Sequence, residues 1–208
     1  MNGLMSWRAA LGAAIVLLGL SACSILPETV TLTQYQLPEQ TLPATRQTGP
    51  ARELVLRVSA PYTDQAHGST RIIVLPDGNQ VSSYAGARWM DTGPVLLRNR
   101  IANGFRDLSQ FKSVVLDVDN AQADLELDGN LDAFQVQYQH GQPVVRLRFV
   151  ARLNSERNGK IRLIDAQRFL VEQEVDGTSV EAVVKAFGMA ADTLTRELAQ
   201  WVLSQDLP

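Results

Sequence analysis

Three consecutive segments in the C-terminal half of the chain alternate between apolar and polar residues, and this pattern constrains the fold more than any other. The segments span residues 124–138, 144–153 and 160–171. A period of two places successive side chains on opposite faces of a strand, so each segment predicts a half-exposed β-strand. The links at 140–142 and 157–159 contain His-Gly and Asn-Gly, which favour tight turns. We therefore expect an antiparallel meander.

A long amphipathic helix is predicted after the meander, over about residues 179–204. Thr178 and Glu181 fit a capping box, which places the N-cap at Thr178. Gly188 in mid-helix costs about 1 kcal/mol relative to alanine, so we expect a close approach there to a strand or another helix. The apolar stripe consists of Val180, Val183, Val184, Phe187, Ala191, Leu194, Leu198, Trp201 and Val202.

Shorter strands are predicted before the meander, at residues 54–58, 71–75, 80–84 and 113–118. The Pro-Asp-Gly-Asn sequence at 76–79 predicts a hairpin turn between the second and third of them.

A second amphipathic helix is predicted at residues 94–109, where Leu97, Ile101, Phe105 and Leu108 recur at helical spacing. The element order predicts an α+β fold in which both helices pack on one face of a mainly antiparallel sheet.

The N-terminus has the three-part layout of a secretory signal: Arg8, an apolar run over residues 9–20, and a small-residue cleavage site. The last four residues, Leu20-Ser21-Ala22-Cys23, resemble the bacterial lipobox, in which the cysteine is acylated and the chain is cut before it. A transmembrane anchor is the alternative, but a spanning helix needs about 20 apolar residues. The apolar run covers only residues 9–20 here, so we expect a signal peptide at 1–22 and lipidation at Cys23.

The mature chain of 186 residues suits a single domain preceded by a tether. Residues 23–50 contain four prolines and form the predicted lipidated tether, with a candidate first strand at 30–37. If flexible, residues 24–50 reach about 25–35 Å, which clears a membrane surface but does not cross the periplasm. Residues 51–208 are the predicted globular domain.

Composition excludes several functions. Loss of Arg8 with the signal changes the formal net charge from −3 to −4, and the chain has no basic block, so we expect no nucleic-acid binding. Cys23 is the only cysteine, and its acylation leaves no thiol for a disulfide, a metal or a covalent intermediate.

Catalytic and metal-binding patterns are weak. His67 and His140 each precede a glycine in a predicted loop, so we expect solvated turn residues. The sequence has neither a Gly-x-Ser-x-Gly elbow nor a Walker loop. The acidic run at 124–132 partly mimics a calcium loop, but Gln135 occupies the twelfth position, where a bidentate glutamate is required. A half-exposed strand explains the same spacing, and we expect no enzyme, cofactor or metal.

Two aromatic residues are candidates for partner contact. Tyr62 begins a loop that runs to Ser69, and Trp89 precedes the first helix. Because both helix stripes are needed for the core, binding is expected at loops and sheet edges. The alternative for Trp89 is a core position at the helix start with its N–H bonded, and Trp201 is expected in the core because it lies on the helix stripe.

The order of these features resembles the ABC-type transport auxiliary lipoprotein family, which includes the lipoprotein of the paraquat-inducible intermembrane transport system. The resemblance rests on features that span nearly the whole mature chain: Cys23, Tyr35-Gln36-Leu37-Pro38, the strand at 54–58 with Pro61-Tyr62, the Asp77-Gly78 turn, Tyr84 with Arg88-Trp89, and the terminal helix. His67-Gly68-Ser69 departs from it, because a more apolar run into the strand is expected there.

The resemblance implies a non-enzymatic lipoprotein that works with an ATPase, a permease and an MCE-type substrate-binding protein. Such systems move lipids between the two membranes of a Gram-negative envelope. Ser24 follows the lipidated cysteine in place of aspartate, which in this class implies the inner leaflet of the outer membrane, facing the periplasm. The alternatives are a lipid carrier with a pocket between helices and sheet, and a structural envelope lipoprotein. A homo-oligomer is also left open.

Overall fold

The computed structural model describes residues 31–39, 51–157 and 159–208, without the side chain of Arg157. The predicted signal peptide, Cys23 and most of the tether lie outside the described residues. The helices and strands are β1 (Thr33–Tyr35), β2 (Arg52–Val58), β3 (Arg71–Leu75), β4 (Ser82–Trp89), α1 (Gly93–Leu108), β5 (Phe111–Leu116), β6 (Leu125–Gln139), β7 (Gln142–Arg157), β8 (Lys160–Glu174) and α2 (Val180–Ser204).

The predicted meander is confirmed. β6 pairs antiparallel with β7 from Leu125↔Ser155 to Gln139↔Gln142, and β7 pairs antiparallel with β8. The turn between β6 and β7 has φ of 51° at His140 and 79° at Gly141, the positive values that a two-residue primed turn requires. From Leu125 onward the acidic run lies in β6, as its alternation predicted, and the pairing register with β7 shifts between Leu131 and Ala133.

The sheet is mixed, so the expectation of a mainly antiparallel sheet was wrong. Four of the seven pairings among the described strands are parallel: β1 with β4, β2 with β5, β2 with β6, and β3 with β6. β2 and β3 lie end to end on the same edge of β6, through Leu56↔Leu125 and Ile73↔Gln135. Alternation identifies a strand but not its partner, and these partners are far apart in sequence.

The helices begin and end close to the predicted residues. α1 follows Thr92 and carries a proline in its first turn, as predicted. The predicted cap of α2 is corrected by one residue, because the Ser179 hydroxyl, and not Thr178, accepts a hydrogen bond from the Ala182 N–H at 3.2 Å. Among the described helices, none has the length and apolarity needed to cross a membrane.

The helices and the inward-facing strand residues form one hydrophobic core, in agreement with an α+β fold. Phe187 of α2 packs against Trp89 and Phe134, with ring centroids 5.1 and 4.7 Å apart. Trp201 lies in the core as predicted, against Phe169, and its indole N–H donates to Asp165 Oδ2 at 2.9 Å. The space between helices and sheet is thus filled by large side chains.

Gly188 approaches the segment that follows β1. A Cβ atom at Gly188 would lie 2.7 Å from the Pro38 carbonyl oxygen, so the close contact is with this segment and not with a strand or a helix. Leu37 is buried, and the Tyr35 hydroxyl donates to Glu181 Oε1 at 2.8 Å. The first strand predicted within the tether is confirmed at Thr33–Tyr35, and these contacts fix it to α2.

A buried ion pair joins the two helices. The Arg100 side chain on α1 is 1% exposed, and Asp192 on α2 is 4% exposed. Arg100 Nε and Nη2 both contact Asp192 Oδ1. Apolar periodicity gave no indication of this pair, since both residues interrupt the apolar pattern of their helices.

Candidate functional site

The loop between β2 and β3 runs along the middle of β6. The Tyr62 N–H donates to the Gly129 carbonyl at 2.9 Å, and the Leu131 N–H donates to the Tyr62 carbonyl at 2.8 Å. These bonds make Tyr62 an isolated parallel bridge partner of Asn130. The Tyr62 side chain is 73% exposed. The sheet therefore holds the backbone of an aromatic residue whose ring faces solvent.

A single helical turn follows Tyr62 and is capped by Asp64. Asp64 Oδ1 accepts hydrogen bonds from the N–H groups of Ala66 and His67 at 2.8 and 3.0 Å. The Gly68 N–H donates to the Asp64 carbonyl at 2.9 Å. An aspartate that bonds backbone N–H groups two and three residues ahead is a common way to initiate a turn.

His67 was expected to be solvated, and that expectation was wrong. Its residue exposure is 8%, because the ring packs between the loop and β6. Nδ1 lies 2.7 Å from Asp64 Oδ2, and Nε2 lies 2.8 Å from Gln135 Oε1. Both ring nitrogens have partners, which makes burial of the imidazole tolerable. His140 is exposed in its turn, as predicted.

The pKa of the Asp64 carboxyl is lowered from its ordinary value. Burial acts to raise this pKa, but hydrogen bonds from the backbone and side chain of His67 and from the Ala66 N–H favour the carboxylate and outweigh it. A lowered folded-state pKa contributes stability above the unfolded-state pKa, and this contribution is lost as the pH falls through the folded-state value.

We expect Asp64→Asn to remove this dependence, so that the variant loses less stability than the wild type between about pH 5 and pH 2. Melting temperatures measured across this range would show the difference. Glu174→Gln, at an exposed carboxyl, is the control for the change in net charge. Parallel curves for the wild type and Asp64→Asn would contradict the capping role.

A shallow groove lies beside Tyr62, with a volume of about 380 Å³. Two of its lining residues form an ion pair, in which Arg148 Nε lies 3.6 Å from Asp132 Oδ2. The groove combines an exposed aromatic ring with charged and polar groups, the composition typical of protein interfaces. We call it the Tyr62 groove, and its lining residues are Tyr62, Thr63, Asp64, Asn130, Leu131, Asp132 and Arg148.

Trp89, the other candidate for partner contact, is 1% exposed and packs at the start of α1. It contacts Phe134 and Phe187, so it lies in the core position that was the alternative. Its indole N–H, which was expected to be bonded, has no hydrogen-bond partner among the described residues. Of the two candidates for partner contact, only Tyr62 has a solvent-exposed side chain.

The carboxylates of the acidic run are engaged by neighbouring strands. Arg152 Nε donates to Asp128 Oδ1 at 2.6 Å, and the Val55 N–H donates to Asp124 Oδ2 at 2.8 Å. Over the described ranges, no three His, Cys, Asp or Glu side chains form a group that could hold a metal ion.

The clearly shifted pKa values in the described part all move away from neutrality. Burial raises the pKa of Tyr84 to about 12, and a hydrogen bond from Arg146 lowers the pKa of Glu172. General acid–base catalysts have pKa values shifted towards the working pH, so these groups have the character of structural ones.

Sequence analysis missed the contact between Asp64 and His67. The Asp-x-x-His spacing next to Gly68 was the available signal, since an aspartate can cap a turn and reach a side chain three residues ahead. Gln135 could not be found in this way, because it is 68 residues away from His67.

Comparison with known proteins identifies related chains. The family model described as "ABC-type transport auxiliary lipoprotein component" matches residues 35–199. No curated protein matches the chain.

Solved structures share the fold at low sequence identity. A Xanthomonas campestris protein of family DUF330 is 24% identical with a TM-score of 0.73, over 82% of this chain and 94% of that protein. An uncharacterised protein is 16% identical with a TM-score of 0.63, over 83% and 99%. A hypothetical protein from Chlamydia trachomatis is 11% identical with a TM-score of 0.50, over 73% and 96%.

Proposed function

The chain belongs to the ABC-type transport auxiliary lipoprotein family, and from this membership we propose that it docks an ABC-type lipid transport system at the outer membrane. In this proposal the protein is not an enzyme. It is held by lipids on Cys23 in the inner leaflet, faces the periplasm, and leaves energy supply to a separate ATPase, since its sequence has no Walker loop.

The proposed partners are an MCE-type substrate-binding protein, an ABC permease and its ATPase. Because β1 is paired with β4 and bonded to α2, only residues 24–32 can act as a free tether, which reaches about 15–18 Å when flexible, so the partner has to approach the outer membrane. The observation that carries the docking role is the Tyr62 groove, where hydrogen bonds to β6 fix the backbone of a tyrosine that is 73% exposed. Exposed tyrosines on rigid backbone are common centres of binding energy at protein interfaces.

The alternative function, a lipid carrier, has less support from the packing of side chains between the helices and the sheet. It needs a lipid pocket between helices and sheet, and that space contains the rings of Trp89, Phe134 and Phe187. A structural lipoprotein without a transport role remains the other alternative, and loss of partner capture in the following experiment distinguishes it from the docking role.

Tyr62→Asp is expected to weaken capture of the MCE-type protein about tenfold, the effect of losing roughly 1.4 kcal/mol at an interface. The melting temperature should not change, because the ring is solvent-exposed and its backbone bonds remain. Co-purification from membranes of the full-length lipoprotein, together with thermal melts, measures both effects.

Val118→Asp is the matched control, since Val118 is 72% exposed and is not among the residues that line the Tyr62 groove. Equal capture by wild type and Tyr62→Asp would contradict the docking role of Tyr62. If Val118→Asp lost as much capture of the MCE-type protein as Tyr62→Asp, the cause would be a general effect of added negative charge, which would also contradict the docking role of Tyr62.

A further inference from the structure

Six arginines on the strands and on α1 form ion pairs with carboxylates, but Arg71 and Arg88, which face each other, do not in the described part of the chain. Arg71 of β3 and Arg88 of β4 are direct Cα partners in the antiparallel hairpin. Within the described ranges, neither guanidinium forms an ion pair. The arginines that do are Arg57, Arg98, Arg100, Arg146, Arg148 and Arg152. Like charges directly opposite on a sheet are destabilising, so this pair needs an explanation.

Both guanidinium groups lie on the face of the hairpin away from the core. Ile72 and Trp89, the chain neighbours of Arg71 and Arg88, are buried in the core. Successive strand residues point to opposite faces, so the two arginines share the outward face. Their charges therefore add at one place on the surface.

A groove of about 710 Å³ lies on this face between the capped turn and the β3–β4 hairpin. We call it the hairpin groove, lined by Gln65, Ala66, Ser69, Arg71, Ile73, Val81, Ser82 and Ser83. No acidic residue is among these lining residues.

Some hydrogen-bond donors of the hairpin groove already have an acceptor within the protein, and others do not among the described residues. The Ser69 hydroxyl is already used, since it donates to the Ala66 carbonyl at 2.7 Å. The guanidinium of Arg71 and the hydroxyls of Ser82 and Ser83 line the groove and form no side-chain hydrogen bond with another described residue, so they can donate to a ligand.

We propose that the hairpin groove binds a phosphate group, with Arg71 as the direct contact, Ser82 and Ser83 as further donors, and Arg88 as a second positive charge. A guanidinium matches two phosphate oxygens with parallel hydrogen bonds, and an anion between two opposed arginines removes their repulsion. The groove lies within the usual size range of small-molecule sites, about 300–1,000 Å³, and is larger than a phosphate alone needs. Val81, which is 57% exposed, supplies apolar surface beside the charged groups.

This composition fits a phospholipid headgroup with the first carbons of its chains. The lipid form of the ligand rests on the proposed role in lipid transport, whereas the phosphate contact does not. Free phosphate and a lipid headgroup share the same recognition chemistry, so the test compares the two.

The experiment titrates the full-length chain in dodecyl maltoside, by calorimetry, with inorganic phosphate and with dihexanoyl phosphatidylglycerol. Arg71→Gln/Arg88→Gln is expected to weaken binding of either probe at least about tenfold, because the loss of one hydrogen bond to a charged group typically lowers an affinity by about that factor. Arg168→Gln/Arg196→Gln, at two exposed arginines that form no ion pair with another described residue, removes the same charge and should change affinity less than twofold. Melting of the Arg71→Gln/Arg88→Gln variant should be unchanged or slightly raised, because like charges no longer oppose each other.

Tighter binding of the lipid probe than of inorganic phosphate would identify a headgroup site, and equal binding would identify a phosphate site. No binding of either probe to the wild type, or equal loss in both double variants, would overturn the proposal. The calorimetric assay contains no transport partner, so a negative result does not contradict the docking role of Tyr62. In the same way, a negative result in the capture experiment does not contradict the phosphate site.

Discussion

Asp192→Leu is expected to lower the free energy of unfolding by about 3–5 kcal/mol, because it leaves the Arg100 guanidinium buried without the Asp192 carboxylate. Arg100 is 1% exposed, so water cannot replace the lost partner without a rearrangement of the helix interface. Denaturant unfolding of the full-length chain measures the change, which should appear in the midpoint at an unchanged slope.

The double variant Arg100→Met/Asp192→Leu separates the cost of removing one partner of the buried pair from the net value of the ion pair. Replacing both partners by apolar residues of similar size is expected to restore most of the stability, since desolvation of the two charges offsets much of their attraction. Asp132→Asn is the control for a partly exposed pair and should cost less than about 1 kcal/mol. A double variant as unstable as Asp192→Leu would show that the ion pair itself stabilises the helix interface.

Cys23→Ser is expected to abolish lipid attachment completely, because a hydroxyl cannot form the thioether that holds the diacylglyceryl group. Cys23 is the only cysteine, so no other thiol can replace it. Two acyl chains suffice for stable anchoring, and without them the precursor should stay unprocessed or the domain should be mislocalised. Metabolic palmitate labelling and membrane fractionation measure these effects.

Ser24→Asp is the matched control for the anchor. It keeps the cysteine, so palmitate labelling should remain at the wild-type level, while the protein should move from outer-membrane to inner-membrane fractions. Wild-type labelling of Cys23→Ser would refute the assignment of the lipidated residue. Outer-membrane location of Ser24→Asp would refute the sorting argument and leave the anchor intact.

The sequence by itself determined the elements whose physical cause is local. Period-two alternation and turn residues predicted β6, β7, β8 and their order, because adjacent strands joined by two-residue turns can pair only antiparallel. Period-3.6 stripes predicted both helices to within one residue at each end. The Asp77-Gly78 turn predicted the β3–β4 hairpin in the same way, although β4 extends further, to Trp89.

Only the tertiary structure decided which distant residues meet. The parallel pairing of β2 and β3 along one edge of β6 depends on how the chain crosses over, and hydrophobic alternation carries no information about this. His67 was misjudged for the same reason, since its burial depends on Gln135 of β6. Arg100 and Asp192 interrupt the stripes of two helices and are tolerated because folding brings them together. Side-chain periodicity reports the environment of one element, whereas pairs that satisfy buried polar groups belong to two elements at once.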